Sequence, residues 1–123
     1  MNKIYCYTSY YANKSILEEK YLLFSISNSV PKYLNYSTFK IKIFVPSWSI
    51  VNDYKLNLID EDEYTKLYLK QLEKIDFTLI YNHMLEYDKI PIFLCYEGKN
   101  KFCHRHILSK YMNSTNLFDV HEL

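Results

Sequence analysis

An α/β domain with a parallel or mixed sheet flanked by helices, Rossmann-like in its layering, is the fold class the sequence predicts. Two observations carry this. Strand-like segments alternate with segments of helical period along the chain, the pattern of a layered α/β fold. In addition, Ile90 to Tyr96 (Ile-Pro-Ile-Phe-Leu-Cys-Tyr) is apolar on both faces, as expected of a parallel strand covered on both sides. No repeat and no Gly/Ser-rich or Pro-rich linker divides the 123 residues, so residues 1–123 are expected to form a single domain.

The elements follow in order. Lys3 to Ser9, with Ile4, Tyr5, Tyr7 and Thr8, has the β-prone composition of a first strand. Tyr21 to Ser27 is nearly continuous in apolar residues and reads as a second, buried strand. Residues 28–58 are punctuated by Pro31 and Pro46 and by a turn at Asn35-Tyr36-Ser37, which predicts irregular chain with a short helical turn after Pro46-Ser47-Trp48. Asp60 and Glu63 have capping-box spacing, and Tyr64, Leu67, Tyr68, Leu72 and Ile75 follow on one helical face. Asp76 can cap a second helix that buries Phe77, Ile80, Tyr81 and Met84. Pro91 is tolerable because it opens the Ile90–Tyr96 strand. A loop through Gly98 then leads into a helix over Phe102 to Met112 and a last short strand over Leu117 to His121.

Composition narrows the function classes. A net charge of +1 supplies no global field for nucleic acid or an acidic membrane, so a nucleic-acid partner is not expected. No apolar run approaches the roughly 18 residues of a membrane span, and the start of the chain (Met1-Asn2-Lys3) shows no secretory signal. Three cysteines in no framework spacing fit a reducing compartment, which makes the expected location cytoplasmic. A single Gly, Gly98, excludes both G-x-G-x-x-G and the Walker P-loop, and no cofactor is expected. Fourteen tyrosines amid abundant Lys, Asn and Ile point to an A/T-rich genome, such as that of a low-GC bacterium or one of its phages.

The chemistry-bearing segment runs from Cys95 to His106. In open parallel sheets ligands bind beyond the carboxyl ends of the strands, where loops meet helix N-termini. Arg105 in the first turn of the coming helix offers a bidentate fork for phosphate or carboxylate, against the alternative of a solvated surface arginine. Cys103 at that terminus is a candidate low-pKa thiol, whereas Cys95 on a buried strand reads first as a small core residue. His104 reads either as a core histidine or as a base held near Cys95 and Glu97. Zinc on Cys95, Cys103, His104 and His106 is a competing reading. It is set aside because the spacing is not that of a standard zinc knuckle and neighbouring residues 103 and 104 would diverge by about 100° on a helix, so no metal is expected. Cys6, His83 and His121 have no nearby partners in sequence and read as structural.

Leu94-Cys95-Tyr96-Glu97 followed by Phe102-Cys103-His104-Arg105-His106 resembles the domain-of-unknown-function family 488. Further similarity lies in Thr8-Ser9-Tyr10-Tyr11, Ser25-Ile26-Ser27, Pro31-Lys32-Tyr33, Pro46-Ser47-Trp48, Asp62 to Tyr68 and His121-Glu122-Leu123. The resemblance implies a Rossmann-like fold with its site at the Cys-x-Glu and Cys-His-Arg segments, and it implies no particular reaction. The loop Gly98-Lys99-Asn100-Lys101 lacks the acidic residue that such proteins often carry before Phe-Cys-His-Arg.

Three functions compete at this level. The leading expectation is binding of a small anionic ligand, a nucleotide or nucleotide-derived signal, sequestered without turnover in the manner of a phage ligand sponge. Arg105, His104 and the helix terminus would anchor it, with Ser9, Tyr10 and Trp48 as walls. The second is an enzyme acting on a nucleotide, a nucleic-acid base or a phosphoester, with Cys103 or Cys95 as nucleophile and His104 and Glu97 in support. The third is a protein-interaction module using exposed tyrosines. A homo-oligomer is compatible with each.

Overall fold

The computed structural model describes residues 2–98 and 101–123. Its centre is a five-stranded sheet formed by β1 (Ile4–Tyr10), β2 (Tyr21–Ser25), β3 (Phe39–Lys40), β4 (Ile90–Cys95) and β5 (Phe118–Glu122). The spatial order is β3-β2-β4-β1-β5, and every pairing is parallel. The helices are α1 (Trp48–Lys55), α2 (Glu61–Glu73), α3 (Phe77–Met84) and α4 (His104–Ser114). The fold is therefore the Rossmann-like α/β layering expected, with the sheet wholly parallel among the described residues.

The hand of the crossovers explains how the layers are filled. Parallel strands are joined almost always by right-handed connections, so links running in opposite directions across the sheet lie on opposite faces. The β3-to-β4 and β4-to-β5 links run one way and carry all four α-helices. That face buries Cys6, Phe24, Phe93, Cys95, Phe118 and Val120 against Tyr68, Leu72, Phe77, Tyr81, Leu108 and Met112. The β1-to-β2 and β2-to-β3 links run the other way, and they hold only a 3-10 turn (Lys14–Leu17) and irregular chain. Ile16, Tyr11, Leu34 and Tyr36 from these links cover Tyr7, Ile92 and Leu94 on the second face. Alternation along β4 divides Phe93 and Cys95 from Ile92 and Leu94, so the strand is apolar on both sides because both sides are covered.

Local chemistry sets the helix starts. The Asp60 side chain accepts from the Glu63 N–H at 2.9 Å, and that of Asp76 from the Leu79 N–H at 3.2 Å. Asp60→Ala should destabilise the fold by about 1 kcal/mol, read as a lower urea midpoint at unchanged slope. Left-handed backbone is needed at two positions just past helix ends, and Asn57 (φ 59°) and Asn116 (φ 62°) supply it where other proteins would use glycine.

Tyrosine is abundant in the core as well as in the codon bias, because its rings fill volume while its hydroxyls find backbone acceptors. Tyr68 donates to the Phe44 carbonyl at 2.5 Å, Tyr81 to that of Asn2 at 2.5 Å and Tyr36 to that of Tyr11 at 2.6 Å. Tyr68→Phe should cost about 1–2 kcal/mol in chemical denaturation, since it strands a buried carbonyl.

Three expectations shift. Irregular chain with a short helical turn after Pro46-Ser47-Trp48 was expected over residues 28–58; the turn is a full helix, α1, and the stretch also contains β3. The last helix begins at His104 rather than Phe102, with Cys103 as its N-cap in extended conformation (φ −154°, ψ 145°). The second strand ends at Ser25, so Ser27 belongs to the loop beyond it.

Candidate functional site

The sheet order fixes where a ligand would enter. The chain leaves β2 towards one sheet edge and leaves neighbouring β4 towards the other, so the loops diverge and open a crevice at their carboxyl ends. A cavity of about 520 Å³ occupies that crevice. Ser27, Asn28 and Ser29 line it after β2, and Cys95, Tyr96 and Glu97 line it after β4. Val45 and Pro46, Trp48, Val51, Tyr54 and Lys55 of α1, Tyr64 of α2, and Phe102, Cys103 and His104 complete it. Tyr54, Tyr64 and Phe102 pack edge-on or tilted with centroids 5.1–5.4 Å apart, giving one side a continuous aromatic wall.

At the cavity's inner end the structure joins Cys95 and Cys103 in a disulfide. This corrects the expectation of unpaired thiols, and it leaves neither sulfur free as a nucleophile in this state. Cys6 stays a free thiol, buried in the core and pushed up to about 12, which makes it inert.

His104 is buried beside them. Its Nε2 lies 2.6 Å from the Ile26 carbonyl, which can only accept, so Nε2 carries the proton and Nδ1 keeps its lone pair. That Nδ1 is 3.8 Å from Cys103 Sγ. Burial lowers the ring's pKa to about 4, with the charges of Arg105 and His106 pushing the same way and the Ile26 bond opposing. The two sequence readings of His104 therefore merge: it is a buried histidine bonded to backbone, and its free nitrogen faces the sulfurs. Because the unfolded chain takes up this proton more readily than the folded one, stability should fall as pH drops from about 6.5 to 4. Urea midpoints across that window should decline more steeply in wild type than in His104→Gln.

Arg105 requires a correction. Its side chain is wholly buried, and its donors are already taken. Nε and Nη2 hold Glu122 at 3.0–3.2 Å, Nη1 reaches the Glu97 carbonyl at 2.6 Å and Cys95 Sγ at 3.1 Å, and Nη2 also reaches the Gly98 carbonyl at 3.1 Å. The arginine thus clamps the β4–α4 loop to β5, and no fork is left open for a phosphate. Glu122 was named in the sequence only within the closing His-Glu-Leu. The signal that would have found it is the need of a buried arginine for a carboxylate.

The remaining site residues divide between the cavity and other places. Trp48 lines the cavity and Glu97 stands exposed at its rim; desolvation raises the pKa of Tyr54 and Tyr64, and the Glu97 charge adds to the rise. Ser9 and Tyr10 do not line the cavity. Ser9 Oγ is bonded to the Leu123 carbonyl (3.4 Å) and Asn13 Nδ2 (2.9 Å), and the Tyr10 ring packs on the Arg105 guanidinium at 5.7 Å. His106 lies apart from the Cys95–Cys103–His104 group, 4.0 Å from Glu122. Met1, Lys99 and Asn100 are outside the described residues, whereas Lys101, immediately before Phe102, is described and exposed. Sequence reasoning singled out neither Asn28 and Ser29 nor Tyr54 and Lys55, and Ser27, Tyr64 and Phe102 entered only as members of expected strands and helices and within the segments of the family resemblance.

No helix of the described residues is long and apolar enough to cross a membrane. Comparison of the chain with known protein families, with characterised proteins and with solved structures found no match.

Proposed function

We propose that the protein binds a small nucleotide or nucleotide-derived anion in the β2/β4 crevice and holds it without turnover. The observation that carries this reading is the aromatic-walled cavity of about 520 Å³ at the point where the strand connections diverge. Its volume falls in the range of small-ligand pockets, and Trp48, Tyr54 and Phe102 offer faces for a base. With Arg105 closed, the anionic part is drawn by Lys55 at the rim and by the positive end of α4, which begins at the cavity wall. A resemblance to domain-of-unknown-function family 488, on the Cys-x-Glu and Cys-His-Arg segments, would put the site at this same loop. A phage or low-GC bacterial origin and a cytoplasmic location accord with the sponge reading.

Trp48 is the sole tryptophan, so its fluorescence reports on the site directly. Titration with a panel of mono-, di- and cyclic nucleotides should give saturable quenching with at least one of them, and native mass spectrometry should show the matching adduct. Unchanged fluorescence and an unliganded mass across the panel would refute the reading.

A further inference from the structure

We infer that Cys95, Cys103 and His104, once the two cysteines are reduced, form a three-ligand site for a zinc-class divalent cation with its fourth position open to the cavity. The inference rests on the pocket reading only for what fills that fourth position. Besides a spacing unlike that of a standard zinc knuckle, the sequence objection was that residues 103 and 104 diverge on a helix. The structure removes it, because Cys103 is the extended N-cap and only His104 is helical. The three donor atoms lie within 4.8 Å of one another, all on buried residues.

Three independent features fit a metal. Two thiolates and an imidazole on a tetrahedral zinc have S···N separations of about 3.6 Å, given Zn–S of about 2.3 Å and Zn–N of about 2.0–2.1 Å. The observed Cys103 Sγ to His104 Nδ1 distance is 3.8 Å. The Cα atoms of Cys95 and Cys103 are 7.5 Å apart. That is wider than the roughly 4.4–6.8 Å usual across a disulfide, and it suits two sulfurs about 3.8 Å apart on one ion. Finally, Nε2–H donates to the Ile26 carbonyl, the outer bond that fixes a ligating histidine's tautomer and leaves Nδ1 for the metal. Arg105 Nη1 donates to Cys95 Sγ at 3.1 Å, an outer hydrogen bond of the kind that orients a ligating sulfur.

The chemistry balances with a phosphine as reductant. The phosphine's electron pair breaks the S–S bond, the phosphine takes up an oxygen from water to become its oxide, and water's two protons leave both sulfurs as thiols. Metal binding then releases both thiol protons to solvent as two thiolates and Nδ1 donate lone pairs to the ion. The fourth position would take water or an anionic oxygen such as a phosphate of the bound ligand.

The test is titration of the phosphine-reduced protein with Co(II), after thiol counting confirms the reduced state. One equivalent should produce a thiolate-to-cobalt charge-transfer band and the intense visible bands of a tetrahedral site, and Zn(II) should erase them. The bands should be absent before reduction, lost in Cys103→Ser and His104→Ala, and kept in Cys6→Ser, with circular dichroism confirming that each variant is folded. Absence of the bands from fully reduced wild type, or their persistence in Cys103→Ser, overturns the inference. His104→Gln, which keeps side-chain bulk, serves if His104→Ala does not fold. Trp48 quenching by nucleotides, recorded with and without Zn(II), separates the two proposals. Quenching without cobalt bands leaves the pocket standing alone, and bands without quenching leave only the metal site.

Discussion

Arg105→Ala should cost about 3–5 kcal/mol of folding stability, the largest loss expected from any single polar substitution here. The guanidinium is fully buried, and its removal leaves Glu122 in a mostly enclosed place without its cation. It also takes the guanidinium donor from the Glu97 carbonyl and leaves that of Gly98 only the Lys101 N–H. A domain of this size is stable by only about 5–15 kcal/mol, so the variant should sit near its unfolding midpoint in water. Arg105→Lys should fall between wild type and alanine, because an ammonium cannot reproduce the planar fork onto Glu122. Urea denaturation of Arg105→Ala, Glu122→Ala and the double variant completes the test. In Arg105→Ala, Glu122 keeps the donation from Thr8 Oγ1 at 2.8 Å, which softens that loss only in part. Additive losses in the cycle would mean that the clamp is not a unit, and the assignment of Arg105 to structure would fail.

Trp48→Ala should weaken nucleotide binding by about 1–3 kcal/mol, roughly 5- to 150-fold, while leaving stability nearly unchanged. The separation is expected because Trp48 is 66% exposed, so its ring adds little to the core while offering a face to the cavity. Calorimetric titration is the right measurement, since the variant lacks the fluorophore. Equal affinity in the two proteins would remove Trp48 from the binding surface. A parallel loss of affinity and of urea midpoint would mean that α1, which the ring opens, had been disturbed instead.

The layered α/β fold was legible because its evidence is local. The Asp60 and Asp76 caps, the helical stripe Tyr64–Tyr68–Leu72 and the two-sided apolar run of β4 are each set by residues close in sequence. β3 was not legible: two exposed residues, Phe39 and Lys40, have no alternation to detect and become a strand only by pairing with Phe24 and Ser25. The same division runs through the site. The segment Cys95 to His106 was located from sequence, since a strand end leading into a helix start is a local pattern.

What the sequence by itself determined is the alternation of strands with helices, the starts of α2 and α3 and the place along the chain where chemistry collects. Tertiary structure alone decided three matters. Arg105 turns inward because Glu122, brought alongside by the pairing of β5 with β1, neutralises it. Ser9 and Tyr10 are excluded from the cavity by strand alternation and by the clamp, although they end a strand beside it. Cys103 joins His104 in facing Cys95 because the helix begins one residue later than Cys103. Each outcome depends on partners distant in sequence or on a single extended residue at a helix boundary, and local pattern carries no information about either.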